Sequence, residues 1–388
     1  MSDNKKEAPT GACPLRKKCG GCQLQNMTYP EQLAFKYKKE ERLLRSFCKV
    51  EPIIGMENPT HYRHKVQAAF AWDQRRRRVL SGVYQSNSHH IVPVNDCMIE
   101  DRKADAIIVT IRKLVQSFKL PVYDEDSRRG FIRHVLVRRG YATGEIMVII
   151  VSGGPVFPAK RNFVNALLKE HPDITTIVHN VNPYHTNLVL GPQNHVLYGR
   201  GYIEDRLCGC TFRLSPGSFY QINPVQTEKL YSTAIEYAGL TGKETLFDSY
   251  CGTGTIGIIA AKHGAGRVLG VELNKAAVKD AIQNAKCNNI ENIWFQQGDA
   301  GRVMTNIDDH VDVVMMDPPR AGSSEEFLSS VVRLAPSRVV YVSCNPETLA
   351  RDLRYLTKHD FKATKIQPVD MFPYTEHVET VVRLIRQK

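Results

Sequence analysis

The residues with the clearest chemical capacity stand at three turns in the second half of the chain. Ser343-Cys344-Asn345-Pro346 closes an apolar run and leads into a helical pattern. A thiol there lies in the crevice at the carboxyl edge of a sheet, beside a helix N-terminus that lowers a thiol pKa. A nucleophile suits that position; a small, inert, buried cysteine is the plainer reading. Asp317-Pro318-Pro319-Arg320 closes a second apolar run. Two prolines fix the backbone and cannot continue a ladder, so the acid sits on a rigid, ligand-facing corner. Glu379 opens the last strand-like run, after Asp370-Met-Phe-Pro-Tyr-Thr-Glu-His-Val. It is placed either to take a proton or to be a charge on an edge strand, and spacing leaves both open.

Upstream, Gly252-Thr-Gly254-Thr-Ile-Gly257 lies between a strand pattern and a helix pattern. Glycines there permit a tight turn and close approach of a ligand to the helix N–H groups. Glu272 ends the next strand, where an acid can take two ribose hydroxyls. Asp299 follows the third strand, where an acid can meet an adenine amine. The glycine loop alone suits a dinucleotide enzyme or a methyltransferase. The corner at Asp317 favours methyl transfer, because nicotinamide chemistry has no usual need for it. Base-amine methylation is disfavoured, since Arg320 stands where an aromatic would stack the base.

The elements that must hold these turns are legible in the periodicity. From Ser215 onward, strand and helix patterns alternate, which predicts an α/β, doubly wound parallel sheet. Segments 361–369 and 377–385 lack a helix between them, so an antiparallel edge pair is expected. In the first half, Leu33, Tyr37, Leu44 and Phe47 predict a helix over 30–47. Short strands follow over 65–94, then helices over 102–118 and 158–170, a hairpin over 131–151, and strands over 176–180 and 196–214. This reads as an α+β domain over 1–214 beside a Rossmann-like domain over 215–388, with helix 30–47 a candidate to pack on the second.

Composition supports two unlike halves. The 388 residues carry a net charge of +12. Residues 1–200 hold 31 Lys and Arg against 18 Asp and Glu; the remainder hold 21 against 22. The run Arg75–Arg78 and the cluster at Arg128, Arg129, Arg133, Arg138 and Arg139 sit in the basic half. Such asymmetry points to a polyanion, nucleic acid foremost. The 30 Tyr and Phe exclude a disordered chain. No apolar run approaches the ~20 residues of a membrane helix. The opening MSDNKKEAPT has no apolar stretch, so a cytoplasmic protein with reduced thiols is expected. Its ten cysteines are then metal ligands, nucleophiles or core residues. Cys13, Cys19 and Cys22 are close enough to share one metal, with Cys97 arriving by folding; four thiolates suit zinc or an iron–sulfur cluster equally.

Five motifs together resemble the RNA uridine-C5 methyltransferases that use S-adenosylmethionine: SFYQ at 218–221, DSYCGTGTIG at 248–257, DPPRAG at 317–322, SCNPETLARDL at 343–353 and DMFPYTEHVE at 370–379. The resemblance implies Cys344 as nucleophile and Glu379 as base. It places Gln221, Tyr250, Glu272, Asp299 and Asp317 around the methyl donor or the target base, and Phe219 against a flipped uracil. Thr255 stands where some members carry Asn. Members acting on ribosomal RNA carry a [4Fe-4S] cluster on the cysteine pattern seen here, which implies 23S rRNA as partner and the cluster as a second cofactor. Some members have a TRAM barrel before the cluster, where this chain has twelve residues. RNA grip is therefore expected from Arg63, Lys65 and Arg75–Arg78. Alternatives are a tRNA uridine-C5 methyltransferase and a non-catalytic RNA-binding assembly factor. No membrane and no protein partner is implied.

Overall fold

The computed structural model describes residues 13–85, 88, 90–307 and 310–387. The chain forms two compact units that are interleaved along the sequence. The first comprises the segment ending at Asn26, Asn58–Asp205 and Leu214–Gly217; the second comprises Met27–Glu57, Arg206–Arg213 and Ser218–Lys388. Two helices come first in the chain: α1 (Arg16–Cys19) in the first unit and α2 (Tyr29–Leu44) in the second. Among the described residues, no helix is long and apolar enough to cross a membrane.

The first unit is a seven-stranded mixed sheet. Its strands are β1 (Lys65–Asp73), β2 (Arg78–Tyr84), β3 (Ile91–Pro93), β4 (Ile132–Arg139), β5 (Ile146–Ser152), β6 (Thr176–Val181) and β7 (Gln193–Tyr198). Their order is β3-β2-β1-β4-β5-β6-β7, antiparallel except for the β5–β6 pair. Helices α3 (Arg102–Ser117) and α4 (Lys160–Glu170) supply Ile107, Ile111, Val115, Phe163 and Leu167 to a core shared with Val66, Phe70, Val135, Val148 and Ile150. Asp101 starts α3 by accepting from the Ala104 N–H at 2.9 Å, an N-cap that satisfies one orphan donor. A hairpin, β8 (Ile203–Leu207) and β9 (Cys210–Leu214), follows.

In the second unit α5 (Pro224–Ala238) leads into alternating strands and helices: β10 (Thr245–Asp248), α6 (Thr255–Lys262), β11 (Arg267–Glu272), α7 (Lys275–Cys287), β12 (Ile293–Gln297), α8 (Ala300–Thr305), β13 (Val313–Met316), α9 (Glu325–Leu334), β14 (Arg338–Ser343) and α10 (Pro346–Thr357). The chain ends in β15 (Phe361–Val369) and β16 (Glu379–Arg386). The sheet order is β12-β11-β10-β13-β14-β16-β15. Five strands are parallel, and β16 runs antiparallel between β14 and β15. The central parallel strands are buried on both faces, as Val313–Met316 shows with four buried residues, because helices cover both sides. The order reverses between β10 and β13, and ligands bind at the carboxyl ends beside such a switch point.

Candidate active site

Local sequence places four acids and a thiol at that end of the sheet. Asp248 closes β10, Asp317 follows β13, Glu272 closes β11 and Cys344 follows β14. Glu379 reaches the same place from the opposite direction. The antiparallel register pairs Ser343 with Thr380, so the next residues outward, Cys344 and Glu379, face each other across the two strands. The thiol is held between a strand and a helix cap. Asn345 N donates to Ser343 Oγ at 3.2 Å, and Asn345 Oδ1 accepts from Glu347 N at 3.1 Å to cap α10. Asn345 Nδ2 also donates to the Arg320 carbonyl at 3.1 Å, tying the Asp-Pro-Pro-Arg corner to the cysteine turn. Behind the corner, buried Asp352 accepts from Ser323 N at 2.8 Å and from the Tyr341 hydroxyl at 2.7 Å. Gly322 sits at φ 76°, and a Cβ there would meet Arg351 at 2.6 Å, so this turn requires glycine.

Burial and like charge govern the titration of the site. Burial pushes Asp317 up to about 7. Burial, then Asp317 and Glu40, raise Glu379 well above the ordinary carboxyl range. Asp248 is raised to about 7 by burial and by Asp317 and Glu272, against a 2.9 Å hydrogen bond from the Gly257 N–H. The Cys344 thiol is pushed up to about 11, by burial first and then by Glu379 and Asp317, while Arg320 pulls it down. This corrects the expectation of a thiol with a lowered pKa. The helix N-terminus is present, but half-burial and two carboxylates outweigh it.

The residues expected around the methyl donor lie at or near the neighbouring strand ends. Gly252 and Gly254 take φ of 54° and 78°, and Gly254 opens α6. A Cβ at Gly254 would strike Phe295 at 2.9 Å, whereas one at Gly252 would meet nothing within 4 Å; the second glycine packs the helix on the sheet and the first leaves room. Glu272 is fixed by both oxygens, accepting from Gly252 N at 3.2 Å and Asn274 N at 2.8 Å. Asp299 caps α8 through Arg302 N at 3.0 Å and lines a shallow cavity of about 430 Å³ with Leu273, Gly298 and Val303. Tyr250 packs against Phe327, with ring centroids 5.1 Å apart. Gln221 is hydrogen-bonded to the buried Tyr231 phenol, whose own neighbours are Asp317, Glu379 and Asp248. Phe219 is 65% exposed, and its carbonyl accepts from Thr253 Oγ1 at 3.3 Å.

Sequence reading missed Asp248, Tyr231, Leu273 and Glu40. Leu273 carried a signal, since an apolar residue directly after a ligand-facing acid has no core to join. Glu40 carried another: Gln32, Lys36, Glu40 and Leu44 recur every four residues, and they are the buried residues of α2.

The remaining candidates belong to the first unit. Cys13, Cys19 and Cys22 lie near enough for their charges to act on one another, and Glu100 acts on both Cys19 and Cys97. Burial raises Cys19 and Cys22 and pushes Cys97 up to about 12. Thiols kept protonated by burial become thiolates only when a cation offsets their charge. Among the described residues, no three His, Cys, Asp or Glu side chains are drawn together as a metal site. Arg63 is half-buried and acts on Glu100 and Cys22. Lys65, also half-buried, is lowered to about 8 by burial and by Arg138 and Arg63. Arg75–Arg78 are exposed at the tip of the β1–β2 hairpin, where Asp73 Oδ1 accepts from Arg75 N and Arg76 N. Arg77 also lines a cavity of about 910 Å³ with Trp72, Tyr84 and Tyr123.

Comparison with known proteins gives concordant matches. The sequence family described as tRNA (uracil-5-)-methyltransferase matches residues 188–387. An uncharacterized RNA methyltransferase of Halalkalibacterium halodurans is 42% identical over 99% of this chain and 84% of its own length. One from Caldanaerobacter subterraneus is 42% identical over 96% of this chain and 84% of its own. Among solved structures, Pyrococcus abyssi tRNA (uracil-54, C5)-methyltransferase in complex with S-adenosyl-L-homocysteine is similar with a TM-score of 0.80 at 29% identity, covering 95% of this chain and 86% of that one.

Proposed function

Because the chain belongs to the tRNA (uracil-5-)-methyltransferase family, we propose that it methylates C5 of a specific uridine in 23S rRNA through a bond between Cys344 and uracil C6. The coarser activity, S-adenosylmethionine-dependent methylation of uracil C5 in RNA, is that of the family. The observation that carries the mechanism is the β14–β16 register, which sets Cys344 opposite Glu379 with Asp317 acting on both.

Uracil C5 is a poor nucleophile until C6 is attacked. The Cys344 thiol must shed its proton as it adds to C6. Asp317, held near neutrality, is matched to receive it. The electron pair moves to C5 and the O4 enolate, and C5 then attacks. When bound, S-adenosylmethionine supplies the electrophilic methyl group. Glu379 next takes the C5 proton; the C–H pair re-forms the C5–C6 double bond and the thiolate leaves. Burial raises the proton affinity of Glu379, so its ionised form is the stronger acceptor for that abstraction. In this reading Glu272 takes ribose hydroxyls, Asp299 and Leu273 meet adenine, and Gln221 and Tyr250 take the rest of the donor or the target base. Phe219 presents its exposed ring to a uracil taken out of its stack.

Choice of 23S rRNA is supported by the quartet Cys13, Cys19, Cys22 and Cys97, which would hold a [4Fe-4S] cluster. The likeness to the Pyrococcus abyssi enzyme favours the second reading, tRNA. Mapping 5-methyluridine in ribosomal and transfer RNA from a strain lacking the gene separates them. Loss at one 23S position supports the proposal; loss only in tRNA overturns it. No loss in either, with no turnover on any RNA, would leave an RNA-binding assembly factor.

A further inference from the structure

Helix α2 buries a row of polar side chains, and each meets the segment that carries Glu379. Gln32 Oε1 accepts from Tyr374 N at 2.8 Å. Lys36 Nζ donates to Asp370 Oδ1 at 2.5 Å and to the Phe372 carbonyl at 3.0 Å, with both side chains of the ion pair wholly buried. Glu40 is also wholly buried, and its Oε2 accepts from Thr380 Oγ1 at 2.9 Å. Two carboxylate oxygens in this layer are enclosed and have no hydrogen-bond partner among the described residues: Glu40 Oε1 and Glu379 Oε2. An enclosed carboxylate oxygen without a donor costs least when its group carries a proton.

We infer that Glu40 is a positioning residue for Glu379: it anchors Thr380, the next residue along β16, and keeps a buried carboxylate near the strand end from which Glu379 takes the proton of uracil C5. The inference rests on the proposed role of Glu379 as base. In the step it serves, the C5–H bond breaks and its electrons re-form the C5–C6 double bond. The bond from C6 to Cys344 Sγ breaks with its electrons on sulfur, and the proton stays on Glu379. The ionised form of Glu40 is a like charge that strengthens Glu379 as an acceptor. The other groups acting on Glu379 or influenced by it are Asp317, Tyr231 and Cys344. Lys39 and Glu347 act on Glu40, which burial raises to about 7.

Single-turnover release of tritium from C5-labelled RNA, followed against pH, tests this. Glu40→Gln keeps an acceptor for Thr380 but removes the charge. Glu379 then holds its proton less tightly, and the acid limb moves to lower pH by about one unit. Glu40→Asp, which keeps the charge, restores the limb toward wild type. Thr380→Val loses the anchor and with it the hydrogen bond that holds Glu40 down, so it slows release and moves the limb less than Glu40→Gln does. A Glu40→Gln profile that overlays wild type, or a limb moved equally by Thr380→Val, overturns the inference. Glu379→Gln distinguishes the underlying reading: if it releases tritium at the wild-type rate, Glu379 is not the base and the inference falls with it. If it is blocked while Glu40→Gln is silent, the role of Glu40 alone fails.

Discussion

Cys344 and Glu379 act at opposite ends of one reaction, so their variants fail differently. Cys344→Ala should bind RNA and methyl donor but form neither adduct nor product. Glu379→Gln should complete addition and methyl transfer, then stall as a methylated RNA–protein adduct that survives denaturing electrophoresis. Loss of a general base slows its step by ~10²–10⁴-fold, enough for the adduct to accumulate. A Cys344→Ala adduct, or normal turnover by Glu379→Gln, would reverse these roles. The raised thiol makes a separate prediction. With a folded pKa near 11, the thiolate fraction rises about tenfold per pH unit through neutrality, and alkylation of the Cys344 peptide should do the same. Arg320 is the cation that lowers this pKa. Arg320→Ala should therefore shift the alkylation curve to higher pH and slow the reaction at pH 7. An unshifted curve would mean that the guanidinium does not act on the thiol.

The elements differ in how far local sequence discloses them. The parallel strands are legible because apolar runs, glycine breaks and helix starts are all local. The switch point at Asp248 and Asp317 follows from that alternation, and so does the edge pair β15–β16. The face of α2 does not. Leu33, Tyr37 and Phe47 mark its helical period but stay half-buried, while Gln32, Lys36 and Glu40 go inside. Their partners lie 334–342 residues away, beyond any periodicity. The thiol pKa escapes sequence reading for a similar reason, since Glu379 is remote in sequence and adjacent only through β16. Breaking the buried pair on α2 should be costly. Lys36→Met leaves the Asp370 charge enclosed with the Tyr29 hydroxyl at 2.8 Å as its remaining side-chain donor. The expected loss is about 3–5 kcal/mol in urea unfolding. The double variant Lys36→Met with Asp370→Asn should lose less than the sum of the singles. Additive losses would mean that the two charges do not interact.

At the scale of the whole molecule, the charge imbalance and the cysteine quartet both belong to the first half of the chain. Replacing Arg75–Arg78 with Gln should weaken RNA binding and flatten its salt dependence, by a slope of ~0.7 for each single-strand phosphate that is no longer neutralised. Turnover at saturating RNA should stay nearly constant; collapsed turnover with unchanged affinity would put the run in the fold or the site. Protein purified without oxygen should be brown, with about four irons per chain, and Cys13→Ser should bleach it. A colourless protein with one zinc would refute the cluster. The interleaved second unit also bears on how the chain is made. Tyr29 and Asp370 are 341 residues apart. At ~5–20 residues per second, α2 leaves the ribosome roughly 17–70 s before the loop it must clasp. An apolar inner face would stay sticky throughout that interval. A row of amide, ammonium and carboxylate stays hydrated instead, so the helix can wait for its partner without recruiting a wrong one.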